Sequence, residues 1–301
     1  RISRIQSPSG IFSLPLPDNS TWDLASAAGG VLEAGEKAAR LRMQAFLDSG
    51  LARYGAMRNL PSGRTTSRLS QDLRFGLISI RELHRATLDK METLDAAGRD
   101  SAATYVSELV WREFYMQVLW NFPAVLEEEF NVKYRGMVWP GKRENFQRWC
   151  DGQTGFPIVD AAMRELRETG FMHNRTRMIA AMFLTKDLHL DWRMGEMWFM
   201  QTLADGEIAS NNGGWQWSAG TGADAAPYFR IQNPWSQSKR FDPDGVYIKT
   251  WVPELRNVDS SKFMDPPAPG MRLAPGYPSP IVDHSAARDI TLDLFKVAAA
   301  R

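Results

Sequence analysis

The feature that most constrains the fold is a helical apolar rhythm that begins near residue 31 and never gives way to two-residue alternation. Over residues 101–122, Val106, Val110, Phe114, Val118 and Phe122 recur at every fourth position, with Leu109, Trp111, Tyr115 and Leu119 beside them. Positions three and four apart share one helix face, so an apolar arc this wide predicts a buried helix rather than a surface one. A sheet needs side chains that alternate between two faces, and no stretch keeps that alternation long enough to build one. The chain is therefore expected to be all-α.

Punctuation residues divide this rhythm. Ser79-Ile80-Arg81-Glu82 is a capping box that opens a helix, and Pro157 and Gly170 mark the start and stop of another. Further helices are expected over 33–49, ended by Gly50, over 173–188, over 192–204, ended by Gly206, and over 285–299. Residues 209–245 carry Asn211-Asn212-Gly213-Gly214, Gly220, Gly222, Asn233-Pro234 and Asp242-Pro243, turn chemistry that predicts ordered loop or short helix. The first 30 residues, with Ser7-Pro8-Ser9-Gly10 and Pro15-Leu16-Pro17-Asp18, read as a linker. The expected organisation is a linker over 1–30 and one helical domain over 31–301.

Composition removes several classes. At 301 residues, 44% hydrophobic and 24% charged, the chain has the balance of a globular protein. No stretch approaches the ~20 apolar residues of a membrane span. A single cysteine, Cys150, excludes a disulfide framework and fits a reducing compartment. Four scattered histidines (His84, His173, His189 and His284) give a zinc site little to work with, so no metal is expected. The formal charge of +1 announces no global basic field. Distribution matters more than the sum, however. Between residues 51 and 85, seven arginines (Arg53, Arg58, Arg64, Arg68, Arg74, Arg81, Arg85) stand against Asp72 and Glu82. Eleven tryptophans are also more than filler would require, because a buried indole N–H needs a partner.

Four segments combine polar groups with aromatics in ways a core does not need. Glu108, Trp111, Arg112 and Tyr115 share one helix face; a carboxylate there is either paired with Arg112 or poised for a ligand. In His173-Asn174-Arg175-Thr176-Arg177-Met178, arginines at a helix start call for a nearby anion, unless the segment is a solvated turn. Thr65-Thr66-Ser67-Arg68-Leu69-Ser70 offers four hydroxyls and an arginine, which suits phosphates but equally suits a cap. Asp205-Gly206-Glu207 leads to Asn211-Asn212-Gly213-Gly214-Trp215-Gln216-Trp217, where glycines permit close approach to a flat ligand.

Taken together, these segments resemble the FAD-binding helical domain of the DNA photolyase/cryptochrome family, colinearly from about residue 31 to 300. The carriers are Thr66–Ser70, Glu108-Leu109-Val110-Trp111-Arg112-Glu113-Phe114-Tyr115, Gly155-Phe156-Pro157-Ile158-Val159-Asp160-Ala161-Ala162-Met163, Met172–Met178, Asp205-Gly206-Glu207, and Asn211–Trp217 running on to Pro227-Tyr228-Phe229-Arg230. The Met-His-Asn-Arg-x-Arg-Met run is similar to microbial class I cyclobutane pyrimidine dimer photolyases. The resemblance implies light-driven dimer repair by reduced FAD on a flipped-out lesion in UV-damaged DNA. The alternative it leaves is a cryptochrome-type photoreceptor that uses the same site without repair.

Residue by residue, the resemblance implies FAD contacts at Tyr54, Thr66, Ser67, Arg68, Leu69, Ser70, Tyr105, Glu108, Arg112, Asn174, Arg177, Asp205, Glu207 and Asn211, with Asn211 facing the flavin N5. It implies lesion and DNA contacts at Arg58, Glu108, Trp111, Arg112, Tyr115, Asn174, Arg175, Met178, Trp217, Arg230 and Gln237. It also implies an electron relay through Trp139, Trp192 and Trp215, residues that would otherwise be plain core. Glu207 stands where Asp is usual, and Phe171 where Trp is common. An antenna chromophore is expected only on an N-terminal α/β domain absent from this chain. The chain is thus expected to be one domain of a longer, monomeric, cytoplasmic enzyme that joins the nucleoid when bound to DNA.

Overall fold

A computed structural model describes residues 32–63, 65–223 and 230–300. The linker expected over 1–30 lies outside the described residues, as do Arg64 and the Pro227-Tyr228-Phe229 part of the last motif. In chain order the α-helices are α1 (Glu36–Ser49), α2 (Tyr54–Met57), α3 (Ser70–Arg74), α4 (Ile80–Glu92), α5 (Ala96–Asn121), α6 (Glu144–Cys150) and α7 (Pro157–Thr169). They continue as α8 (Asn174–Met182), α9 (Trp192–Thr202), α10 (Ile208–Ala219), α11 (Pro234–Phe241), α12 (Val246–Trp251) and α13 (His284–Ala299). Among the described residues there is no strand, so the all-α expectation holds.

Helix ends follow local chemistry. α7 opens on Pro157 and closes on Gly170, whose φ of 65° is left-handed; without a Cβ, glycine takes that conformation at no steric cost. Ser79 caps α4 by accepting from the Arg81 N–H at 3.2 Å. The reciprocal half of the expected capping box is missing, because the Glu82 carboxylate accepts from Arg40 instead.

Three expectations need correction or resolution. α5 is not buried along its length: Val110, Trp111, Phe114, Trp120 and Phe122 are exposed, Trp120 by 83%. Its first half packs on α2 and α4, and of the apolar arc only Leu109 is buried, with Tyr105 beside it. Second, of the two outcomes expected for the Asn-Asn-Gly-Gly run, ordered loop or short helix, the structure has the helix, and the run is the middle of α10. Burial of Trp215 and Gln216 overrides weak propensity there: the Gln216 amide donates to the Val125 and Glu128 carbonyls at 2.8 and 3.1 Å, and its oxygen accepts from the Phe130 N–H at 2.8 Å. Third, the helix expected over 173–188 is α8 followed by a π-helical turn, Phe183–Asp187.

Two aromatic and aliphatic cores carry the fold. The larger gathers α6 to α12 around Trp149, Phe156, Trp192, Phe199, Trp215 and Trp235. The smaller joins α1, α2, α4 and the first half of α5 around Phe46, Leu51, Tyr54 and Tyr105. Cys150 is buried in the larger core, and burial pushes its thiol up to about 12, as suits an inert residue.

The π-helical turn carries three consecutive buried polar residues, Thr185, Lys186 and Asp187, and α13 closes over it. The Lys186 ammonium nitrogen lies 3.8 Å from the centre of the Phe295 ring and donates to the Ala219 carbonyl. His284 Nδ1 lies 2.5 Å from Asp187 Oδ1. Thr291 donates to the Lys186 carbonyl at 2.6 Å, and His189 Nε2 bonds Ala287 O at 3.0 Å.

Candidate flavin and DNA-lesion site

The Thr66–Ser70 segment is tied to α5. Tyr105 Oη donates to Ser67 Oγ at 3.1 Å, and that oxygen also accepts from the Leu69 N–H at 3.4 Å. Tyr105 sits edge-on to Tyr54, 5.1 Å between ring centres, and burial raises its phenol to about 12. Leu69 anchors the segment in the smaller core, while Thr66 is half-buried and Ser70 is exposed at the start of α3. Arg68 adopts a left-handed φ of 51°, which a long side chain rarely takes. Its guanidinium lies 4.0 Å from the centre of the Phe171 ring.

α8 and α10 pack together and supply the next layer. The Arg177 guanidinium donates to both Asp205 oxygens, at 3.0 and 2.8 Å, and to the Met172 carbonyl at 2.7 Å. The anion called for by arginines at this helix start is thus, for Arg177, the Asp205 carboxylate. His173 caps α8 by accepting from the Arg175 N–H on Nδ1 at 3.1 Å, so the solvated-turn alternative does not hold. Burial first, then the Arg177 and Arg175 charges, lower its pKa to about 4. Asn174 is exposed and Met178 half-buried.

Asn211 donates from Nδ2 to the Glu196 carbonyl at 2.9 Å, which fixes the amide on α10. Glu207 turns both oxygens back to cap the same helix, accepting from the Ala209 and Ser210 N–H groups at 3.0 and 2.9 Å and from Ser210 Oγ at 2.8 Å. Burial pushes this carboxyl up, but those bonds and the Arg112 charge outweigh it and leave the pKa lowered. The longer acid at this position therefore serves as a helix cap. Phe171, the other departure, is the platform on which Arg68 and Arg177 both lean.

Two adjacent glycines shape the cleft. A Cβ on Gly213 would sit 2.0 Å from Tyr115 Cδ1, so α10 meets α5 there only through a glycine. A Cβ on Gly214 would meet nothing within 4 Å. At 100° per residue, Gly214 lies on the α10 surface between Asn211 and Trp217. The helix thus presents open space between the residue matched to the flavin and a residue matched to the lesion.

The outer face joins α2, α5, α8 and α11. Glu108 pairs with Arg58 rather than with Arg112; Arg112 instead donates to Glu113 at 3.0 Å. Trp111 is 50% exposed and lies 6.1 Å from Tyr115 and 5.3 Å from Phe114, ring centre to ring centre. The Arg230 guanidinium lies 5.1 Å from the centre of the Trp217 ring. Arg175 bonds Asn59 Oδ1 at 2.7 Å and lies 4.5 Å from the Phe241 ring centre. Burial, then the Arg58 and Arg240 charges, lowers its pKa, which marks a cluster of like charges. Gln237 is half-buried on α11, the helix that carries Arg240 and Phe241.

The three tryptophans expected to form a relay occupy one core. Trp215 and Trp192 are buried in it, and Trp139 packs against its edge. Trp215 lies 4.9 Å from Phe199 and 6.0 Å from Trp149. Trp192 Nε1 donates to the buried Glu129 at 3.2 Å, a partner no sequence motif announced. The Glu108–Arg58 pair was equally hidden, because its members are 50 positions apart. Among the described residues no group of histidine, cysteine and carboxylates could hold a metal, and no helix is long and apolar enough to cross a membrane.

The helical fold and the polar groups that α5, α8 and α10 bring together define a known class. A family profile described as the FAD-binding domain of DNA photolyase matches residues 105–297. The deoxyribodipyrimidine photo-lyase of Halobacterium salinarum is 44% identical over 94% of this chain and 60% of its own length. That of Escherichia coli is 44% identical over 87% of this chain and 56% of its own length. The crystal structure of a class III photolyase from Agrobacterium tumefaciens superposes with a TM-score of 0.88 at 36% identity, over 99% of this chain and 64% of that one. A Synechocystis cryptochrome superposes with a TM-score of 0.84 at 32% identity, over 96% of this chain and 62% of that one. The chain belongs to the DNA photolyase FAD-binding domain family. It spans roughly half to two thirds of the length of the relatives it matches.

Proposed function

We propose that this chain binds FAD and forms the catalytic part of an enzyme that splits cyclobutane pyrimidine dimers in DNA with light. One observation carries the reading: half-exposed Trp111 and Glu108, which pairs with Arg58 at the end of α2, stand on α5, which packs against α10, the helix that bears Asn211 and Trp217.

The residues fit FAD. Gly214 leaves open the space that a side chain would fill, hydroxyls of Thr66, Ser67 and Ser70 suit a diphosphate, and Arg177 with Asp205 offers a polar edge beside it. Tyr54, Leu69, Tyr105, Arg112, Asn174, Glu207 and Asn211 complete the holding set. FAD, reduced and excited by light, supplies the electron that opens the cyclobutane ring and afterwards returns. Asn211 presents a neutral amide, which can serve a protonated or an unprotonated ring nitrogen. Trp215, Trp192 and Trp139 carry electrons inward from the surface.

The DNA side follows from the outer face. Extruding a nucleotide from the duplex costs a few kcal/mol, less at a damaged step. Trp111 and Trp217 as stacking walls contribute about 1–3 kcal/mol each, enough to offset it. Arg58, Arg175 and Arg230 meet phosphates, and Met178, Tyr115 and Gln237 line the lesion side. Arg58 meets Glu108 through one guanidinium nitrogen only; drawn toward a phosphate, it would free the Glu108 carboxyl, with Asn174, for the pyrimidine edges.

The test is loss of thymine dimers from an oligonucleotide under blue light by the FAD-loaded, reduced protein. Dimers that persist in light as in darkness overturn the reading. Photoreduction of the flavin without repair would instead favour a photoreceptor, the reading supported by the Synechocystis likeness.

A further inference from the structure

The three tryptophans expected to form a relay differ at their indole nitrogens. Among the described residues, Nε1 of Trp139 and Nε1 of Trp215 are buried with no hydrogen-bond partner, whereas Trp192 Nε1 donates to Glu129 Oε1 at 3.2 Å. A buried indole N–H ordinarily finds a polar neighbour, but here the neighbour is a carboxylate, itself 2% exposed. Arg193 fixes it. Its guanidinium bridges the same Glu129 oxygen at 3.1 Å, donates to the Glu127 carbonyl at 2.8 Å, and is paired with Asp191 at 3.1 Å. That guanidinium also lies 4.6 Å from the centre of the Trp192 ring.

These contacts disfavour a positive charge that stays on the ring and favour one that leaves as a proton. Loss of an electron makes an indole N–H strongly acidic. It also leaves a cation facing the Arg193 charge, which Coulomb repulsion opposes. Trp192 is fully buried, so the route for its proton is the hydrogen bond it already makes. We propose that Glu129 is the proton acceptor of the relay at Trp192. As Trp192 passes an electron through Trp215 toward a light-excited, oxidised flavin, its N–H bond breaks and the bonding pair stays on nitrogen. The proton forms an O–H bond on Glu129 Oε1. The ring is left a neutral radical and Glu129 a neutral acid, while Arg193 keeps Asp191 as its partner. When Trp139 supplies the next electron, Glu129 returns the proton. Until then the separated charge is held, because the electron cannot fall back to Trp192 unless the proton does too. The inference rests on the FAD and relay reading above.

The experiment is flash photolysis of the full chain loaded with oxidised FAD, in a Trp139→Phe background that stops the hole at Trp192. A tryptophan cation radical and its deprotonated neutral form absorb at different wavelengths, so the proton transfer is read directly. The expected result is a neutral radical whose formation slows several-fold in deuterated water. Glu129→Gln keeps the size and an acceptor oxygen but is too weak a base to take the proton. In that variant conversion of cation to neutral radical should slow about a hundredfold, and the isotope effect should vanish. Equal conversion rates and isotope effects with and without Glu129→Gln overturn the proposal. Where Glu129→Gln holds no flavin, Glu129→Asp carries the test: it draws the carboxylate back by one methylene, and an unchanged conversion rate overturns the proposal. Flavin photoreduction at the wild-type rate in Trp192→Phe sinks the relay reading, and a wild-type chain that binds no FAD sinks the FAD reading. Either takes this proposal with it, whereas a failure confined to the Glu129 variants leaves both readings standing.

Discussion

Gly213 and Gly214 are neighbours in the middle of α10, and replacing each with alanine should have opposite effects on the apoprotein. Inside a helix, alanine is favoured over glycine by about 1 kcal/mol. At Gly214 nothing opposes this gain, since the new Cβ meets no atom within 4 Å. Melting should rise by about 2–4 °C. At Gly213 the Cβ would lie 2.0 Å from Tyr115 Cδ1 and 2.7 Å from Cγ. Cγ is the stem of the ring and cannot swing aside alone. Overpacking of this kind costs about 1–3 kcal/mol, so Gly213→Ala should be net destabilising by up to about 2 kcal/mol after the helical gain. FAD binding separates the two again. The added methyl at Gly214 projects between Asn211 and Trp217, where a cofactor is to lie, and should weaken FAD by roughly 5–100-fold. Differential scanning fluorimetry of the apo forms and flavin-fluorescence titration give both numbers. If Gly214→Ala binds FAD like wild type, the cradle at this face of α10 is misassigned. If Gly213→Ala melts above wild type, the Tyr115 contact is no constraint.

Asp205→Asn leaves Arg177 uncompensated; breaking a buried pair costs about 3–5 kcal/mol, reduced here to about 2 kcal/mol because Arg177 is 25% exposed and keeps its bond to Met172. Apoprotein melting should fall by about 4–8 °C, and an unchanged midpoint would show that the bridge adds nothing. Arg175→Ala should lower the slope of log affinity for DNA against log salt by about one unit; an identical slope removes Arg175 from the phosphate contacts. His173 is held neutral in the fold, with burial lowering its pKa to about 4 from the ordinary 6.5. The folded state thus binds fewer protons than the unfolded one between those values, and stability drains away as pH falls from 6.5 toward 4. His173→Asn, which keeps a capping acceptor, should gain about 3 kcal/mol on wild type between pH 7 and pH 4 in urea unfolding. A pH-independent difference would refute this.

What the sequence made legible was what neighbours in sequence decide. Pro157 and Gly170 bounded α7 because a missing N–H and a permitted left-handed φ act within one turn. The polar motifs on α5, α8 and α10 were legible as chemistry because each lies within a single helix. What failed depended on distant packing. Periodicity cannot say whether an apolar arc meets a partner, so the exposure of Trp120 and Phe122 was invisible. The helix through Asn211-Asn212-Gly213-Gly214 opposes local propensity and exists because Gln216 reaches Val125 and Glu128 across the core. Glu108 chose Arg58 over the adjacent-turn Arg112 for the same reason: partners 50 residues apart leave no local signature.

The clasp of α13 over the π-helical turn joins the middle of the chain to its far end. Lys186, Asp187 and His189 sit in the middle of the sequence, yet their partners Ala287, Thr291 and Phe295, with His284, emerge about a hundred residues later. Without α13, Asp187 and His189 would lack the side-chain and carbonyl partners that accompany their burial, and Lys186 would lose the Phe295 ring while keeping the Ala219 carbonyl. The clasp by α13 is thus a long-range one, made beside the larger core through its own small cluster of Met137, Phe295 and Ala298.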